Sequence, residues 1–354
     1  MPLVAFTQLP TFDRLKQQNH DVLSVNKANH QDIRELHIGL LNMMPDASLQ
    51  ATERQFMRLL GDCNQIIQIY VHLFTLPSIS RSEETKAWIN DFYESFDSIK
   101  SHGLDALVIT GANPVYSELE QEAFWPELTQ VIDWAKENVT SVLCACLASH
   151  AVLQYLYGIK RKPLKEKKWG VFQHQLTNVE HPLTRHINTR FDVPHSRLNQ
   201  ITSEQLAKNN LINLSQSEDA GVHLAASNDG VKFIFFQGHP EYDATSLLKE
   251  YKREIDRWSL DERTDYPPFP DNYFDDGVKQ KLNDYRKTLE SCCDRSLVEW
   301  PDEWLQRNID NTWRDTALST FNNWLGLIYQ LTGKNIKQPY MAGIDPENPL
   351  NIKQ

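Results

Sequence analysis

An apolar stretch from Val139 to Ala145 delivers Cys146 directly into a helix-like segment, Ala148-Ser149-His150-Ala151-Val152-Leu153. A strand that turns at once into a helix exposes the residue at the turn and belongs to alternating α/β architecture. Far downstream a second apolar run, Val231 to Phe236, leads into Gly238-His239-Pro240-Glu241. A cysteine at such a turn with a later His-x-Glu is what an activated thiol nucleophile requires, so the pattern points to covalent catalysis.

A free thiol is mostly protonated near neutral pH; an imidazole or a helix N-terminus lowers its pKa and makes the thiolate available. The turn at Cys146 supplies the helix end and His239 the base. Glu241, two residues beyond His239, is placed to orient the ring as the third member of a triad. Cys144 lies two residues earlier on the strand, with no turn to expose it, and is expected to be core.

Hydrophobic residues at 40% of 354 suffice for a sizeable core, and the length calls for one large core with an appended piece, or for two domains. The net charge of -11, with one dense basic block at Lys160 to Lys168, argues against nucleic acid as a partner. Five cysteines, Cys63, Cys144, Cys146, Cys292 and Cys293, suggest no disulfide framework and favour a reducing compartment. The adjacent pair Cys292-Cys293 suits neither a metal site nor a simple disulfide. No run of about 18 apolar residues and no leader-like N-terminus is visible, so a cytoplasmic protein without a membrane partner is expected.

The periodicity divides the chain into an irregular arm over 1–34, an α/β catalytic domain over 35–260, a C-terminal loop, helical insertion and returning helix over 261–335, and a tail over 336–354. Strands are read at Leu36 to Leu41, Ile66 to Leu73 and Leu104 to Thr110, with helices around Leu49 to Leu60, Thr85 to Phe96 and Trp125 to Asn138. After Gly158 stops the nucleophile helix, a basic loop leads to Val171-Phe172. Gly221 to Ala226 and Val231 to Phe236 flank Ser227-Asn228-Asp229-Gly230, an Asp-Gly hairpin signal. Asp243 to Trp258 is helical, and 277–310 is a charged helical excursion. The alternation implies a mostly parallel sheet covered by helices on both faces.

Several blocks carry a resemblance: Asn42-Met43-Met44-Pro45, Glu53-Arg54-Gln55-Phe56, Thr110-Gly111-Ala112, Cys146-Leu147-Ala148, Pro194-His195-Ser196-Arg197, Gly238-His239-Pro240-Glu241-Tyr242-Asp243 and Phe321-Asn322-Asn323-Trp324-Leu325. Together, colinear over about residues 1–335, they resemble the homoserine O-acyltransferase family, of the homoserine O-succinyltransferase type in methionine biosynthesis. The resemblance implies a class I glutamine amidotransferase-like fold. It also implies a cysteine that takes an acyl group from acyl-CoA and passes it to the hydroxyl of homoserine.

Carried over by position, Cys146 is the nucleophile, His239 the general base and Glu241 its orienting acid. Ser196, Arg253 and Lys167 match positions that bind the amino-acid substrate, and the planar fork of Arg253 suits a carboxylate. The backbone NH of Leu147 is one oxyanion donor, and the Gly111-Ala112 turn is the source of the other. No permanently bound cofactor and no metal are implied, acyl-CoA being a co-substrate. Oligomeric state stays open, a homodimer included.

The chain departs from the family pattern in places. The segment Asp46 to Ala51 is longer and lacks a lysine, and 277–310 looks inserted. Val115 falls where succinyl-using members carry glycine and acetyl-using members glutamate, although an extra Asn113 would put Tyr116 there instead. Acyl-donor selectivity is therefore assigned to Val115, with succinyl-CoA slightly ahead of acetyl-CoA, and L-serine stays open as acceptor. A glutaminase or cysteine hydrolase of the same fold is the other enzymatic reading, weakened because Cys144 and Ala148 replace the glycines of G-x-C-x-G. A non-catalytic scaffold is opposed by retention of all three triad residue types.

Overall fold

A computed structural model describes residues 3–292 and 295–351; Cys293 lies outside them. The strands are β1 (Leu3–Ala5), β2 (Val22–Ser24), β3 (Glu35–Leu41), β4 (Gln68–Phe74), β5 (Ala106–Ile109), β6 (Ser141–Ala145), β7 (Lys162–Leu176), β8 (Arg190–Gln200), β9 (Ile212–Ser217), β10 (Gly221–Ala226) and β11 (Phe233–Phe236). They build one sheet in the order β2-β1-β4-β3-β5-β6-β11-β10-β9-β7-β8. Pairing is parallel from β2 through β11 and antiparallel from β11 outward. The mostly parallel α/β expectation is thus met, with an antiparallel wing beyond β11.

Alternation along the central strands sends side chains to two cores. Ile38, Val108 and Leu143 pack on one face against Leu15, Phe56 and Trp324 from the helices Pro10–Gln17, Asp46–Asp62 and Arg314–Leu331. Leu107, Ile109 and Val142 pack on the other against Ile99, Val131 and Leu153 from the helices Phe96–His102, Trp125–Asn138 and Leu147–Tyr157. Both faces are covered, as buried parallel strands require. A third cluster joins Trp169 and Val171 of β7 to Leu248 and Tyr251 of the helix Ser246–Ser259, and takes in Val278, Leu282 and Leu305 from the 277–310 excursion.

Two readings of the sequence change. Residues 3–34 are not irregular: β1 and β2 extend the parallel edge, and Leu3 and Val4 are buried there. Strands of three residues are too short to show a period. The basic segment at Lys162 to Lys168 is not a loop but the first half of β7, paired with β8 across an irregularity between Pro163 and Lys168. The Pro-rich stretch near Phe269 also docks on this strand, because Gly170 lets Asp271 approach. A Cβ at Gly170 would fall 2.2 Å from the Asp271 carbonyl oxygen, and its φ of +152° also favours glycine.

Candidate active site

β6 and β11 run parallel, with Ala145 opposite Phe236, so the residues after each leave the same edge of the sheet. Cys146 follows β6 at φ 51° and ψ −109°, a conformation that L-residues rarely adopt. The turn is held from both sides: the Cys146 NH donates to the Phe236 carbonyl at 2.7 Å, and the Ser149 hydroxyl donates to the Cys144 carbonyl at 2.7 Å and to that of Phe236 at 2.9 Å. The turn keeps Cys146 partly exposed, whereas Cys144 is fully buried and its thiol is pushed up in pKa by burial. The Leu147 NH, in the first turn of its helix, has no acceptor within the helix.

His239 leaves β11 and is fixed by its NH donating to the Pro194 carbonyl at 2.8 Å. Its Nδ1 lies 2.8 Å from Glu241 Oε1. With Nδ1 taken, Nε2 is the nitrogen left to hydrogen bond the Cys146 thiol. Burial, the largest influence, opposes charge on the ring. The Glu241 carboxylate and the Cys146 sulfur nevertheless hold the imidazole protonated well above its ordinary range. The Tyr242 ring stacks on it at 4.3 Å between centroids. The three residues expected to form a triad are therefore brought together.

A second cluster adjoins the first. Glu250, on the helix Ser246–Ser259, accepts hydrogen bonds from Ser196 at 2.7 Å and from Tyr242 at 2.9 Å, and Lys167 Nζ lies 3.3 Å away. Burial pushes the Glu250 carboxyl up, but Lys167, Ser196, Tyr242 and the charge of His239 together hold it below the usual carboxylate range. Ser196 and Lys167 thus converge on an acid that the motif reading passed over. Arg253, one turn further along the same helix, is exposed and makes no ion pair among the described residues.

Behind the triad, Arg58 pairs with Asp243 and its Nη2 donates to the Glu241 carbonyl at 3.4 Å, while Gln55 donates to Ser246 at 2.9 Å. Gly238 packs against Val193, His195 and His223, where a Cβ would come within 2.4 Å of Val193 Cγ1. The loop that carries Val115 begins beside Cys146: a Cβ at Gly111 would stand 3.6 Å from that of Cys146. Val115 itself is 83% exposed and Tyr116 49%, so neither is packed into a wall.

Residues 2–334 match the homoserine O-succinyltransferase family. The chain belongs to that family. Homoserine O-succinyltransferase of Methylobacter tundripaludum is 57% identical over 99% of this chain and 100% of its own length, and that of Methylococcus capsulatus is 55% identical over the same shares. A glutamine amidotransferase from Thermotoga maritima is similar in structure at TM-score 0.41 and 13% identity, covering 84% of this chain and 99% of its own. Membership bears out the resemblance read from the motif blocks, and with it the enzyme class, a homoserine O-acyltransferase. Among the described residues no group of three or more His, Cys, Asp or Glu could hold a metal, and no helix is long and apolar enough to cross a membrane.

The residue beside the triad that the motifs missed is Glu250. Its signal was available: it precedes Arg253 by three on one helix, a spacing that puts the two side chains on the same face. Arg58 and Asp243 were also passed over, because their pairing links segments far apart in sequence.

Proposed function

We propose that this enzyme transfers the succinyl group of succinyl-CoA to the hydroxyl of L-homoserine through a thioester on Cys146. The observation that carries the reading is a cysteine on a strained strand-to-helix turn against a histidine whose other nitrogen is held by Glu241. In the first half-reaction the Cys146 sulfur attacks the thioester carbonyl of the donor. The C–S bond to CoA breaks, and the proton on His239 goes to the departing CoA sulfur. The neutral imidazole then takes the proton of the homoserine hydroxyl as its oxygen attacks the acyl-enzyme, the ester forms, and the Cys146 sulfur leaves as thiolate. The Leu147 NH and the Gly111-Ala112 turn supply the donors for both oxyanions.

The acceptor is read by the neighbouring cluster. Glu250, ionised and fixed by Ser196 and Tyr242, suits the ammonium of an amino acid, and the unpaired guanidinium of Arg253 suits its carboxylate. Succinyl as donor is supported by the names of the relatives and by the uncharged side chains at 115 and 116, which set no negative charge against a second carboxylate. Lys167 tunes the Glu250 charge rather than meeting substrate first.

Mass spectrometry of the protein after exposure to succinyl-CoA and to acetyl-CoA separately tests this. A succinyl increment on the Cys146 peptide, discharged by L-homoserine in preference to L-serine, is expected. An acetyl increment alone would overturn the donor, and no increment at Cys146 would overturn the thioester.

A further inference from the structure

We propose that Arg161 reads the terminal carboxylate of the acyl donor. The inference rests on succinyl-CoA being that donor and deepens it. It starts from the loop 111–118, which leaves the sheet beside Cys146 and so borders the space into which an acyl chain on that sulfur extends. The far end of this loop is gripped by one side chain. Arg161 Nη2 donates to the Tyr116 carbonyl at 3.0 Å and to the Ser117 carbonyl at 2.9 Å.

The position of Arg161 follows from how the nucleophile helix ends. Gly158 adopts φ 66°, and the Ile159 NH donates back to Leu153, which turns the chain toward the loop just before β7 begins. The guanidinium is half-buried, and burial lowers its pKa; the negative charges that act on it are Glu122, Glu118 and, less strongly, Cys146. Its Nε and Nη1 make no hydrogen bond to the described residues, and neither is a buried atom lacking a partner, so each keeps an accessible N–H on either side of the anchored Nη2. A guanidinium fixed through Nη2, with its charge intact and N–H groups left on Nη1 and Nε, is suited to hold a carboxylate through a charge-assisted hydrogen bond.

The surrounding carboxylates are otherwise engaged. Glu118 pairs with Lys160 at 2.5 Å, and Glu122 accepts the Tyr116 NH at 2.7 Å; neither forms an ion pair with Arg161. Other cations near the nucleophile are committed. Arg197 is buried and spends its donors on His195 and on the carbonyls of Asn199 and Ala220, and Lys167 is bound to Glu250. An acetyl group offers nothing for Arg161 to bind, whereas succinyl carries a carboxylate beyond two methylenes.

The test compares succinyl-CoA, acetyl-CoA and butyryl-CoA, the last having the carbon count of succinyl without its charge. In Arg161→Gln, kcat/KM for succinyl-CoA is expected to fall about ten- to hundredfold relative to both neutral donors, with partial recovery in Arg161→Lys. Equal losses with all three donors would mean that Arg161 serves the shared CoA portion or the loop fold, and no loss with any donor would mean that it meets no acyl carboxylate. Either overturns the inference. Phenylglyoxal labelling of Arg161 in the unaltered protein gives a second measurement independent of how the variants fold: succinyl-CoA should protect the residue and butyryl-CoA should not, and equal protection counts against the proposal. If the unaltered protein takes no succinyl group at all, the donor reading fails and this one with it. Succinylation with a flat donor ratio in Arg161→Gln removes this inference alone.

Discussion

The Ser196 hydroxyl donates a 2.7 Å hydrogen bond to Glu250 Oε2, joining strand β8 of the antiparallel wing to the helix that follows the catalytic loop. Lys167 on β7 reaches the same oxygen, and Tyr242, stacked on the His239 imidazole, reaches the other. A buried acid with three donors around it is thus tied to His239 through the Tyr242 ring.

Removing that charge should show in acceptor affinity before it shows in chemistry. Glu250→Gln keeps the shape and loses the ionic contact with the ammonium, an interaction of roughly 1.5–3 kcal/mol for a hydrogen bond to a charged group. The KM for L-homoserine is expected to rise about ten- to hundredfold while burst acylation by the donor changes little. Rapid-quench measurement of the burst beside steady-state rates separates the two. A lost burst with an unaltered KM would place Glu250 in acyl transfer instead.

The two neighbouring cysteines should separate activity from stability. Cys146→Gly removes the nucleophile and also relieves a side chain held at φ 51°, so transfer should be abolished while stability rises by about 1 kcal/mol. Cys144→Ser places an unpaired hydroxyl in a closed core and should cost about 1–3 kcal/mol with kcat largely retained. Urea unfolding curves and initial rates on both variants check this. A destabilised Cys146→Gly would mean that the lost contact with His239 outweighs the relief at φ 51°.

Much of this arrangement could be read from residue order. The β6 run, the Gly158 stop and the Asp-Gly hairpin each rest on a local signal, and the structure places Cys146, His239 and Glu241 together because β6 and β11 are neighbours. What escaped has no local period. β8 contains Pro194 and a polar run, Pro194-His195-Ser196-Arg197, that breaks the apolar alternation, yet His195 and Arg197 are buried because they bond each other, His174 and backbone carbonyls. The Glu250 and Arg58 contacts join segments 54 and 185 residues apart, which no window along the chain can register. Val115 is reached by counting from Gly111-Ala112 within a loop, where spacing alone sets no side-chain direction, and it is 83% exposed.

Arg58 should act on catalysis without touching substrate. It holds the Asp243 carboxylate and the Glu241 carbonyl at once, and burial pushes its guanidinium down to about 10, still charged at neutral pH. Arg58→Met leaves Asp243 without its cation, a change worth roughly 3 kcal/mol of stability for a partly buried pair. It should also lower kcat more than it raises either KM, because Glu241 then orients His239 less well. Arg58→Lys should restore part of both. A variant with lowered stability and an unchanged kcat would reduce Arg58 to a structural tie.

Acid should unfold this protein through its buried histidines. Burial pushes His150, His174 and His181 each down to about 4, and His195 and His223 lie well below the ordinary 6.5. As pH falls from 6.5 toward 4, the unfolded chain takes up protons that the native protein refuses, so stability present above 6.5 is progressively lost. The loss amounts to as much as about 3 kcal/mol for each of the three histidines at 4. His239 has the opposite sign: its raised pKa contributes stability that is full below 6.5 and fades as pH rises through its folded value. Urea midpoints measured across this range should fall steeply on the acid side, and His174→Gln, which removes one of the refused protons, should flatten the slope by about one proton. A midpoint indifferent to pH between 6.5 and 4 would mean that these rings already carry protons in the folded state.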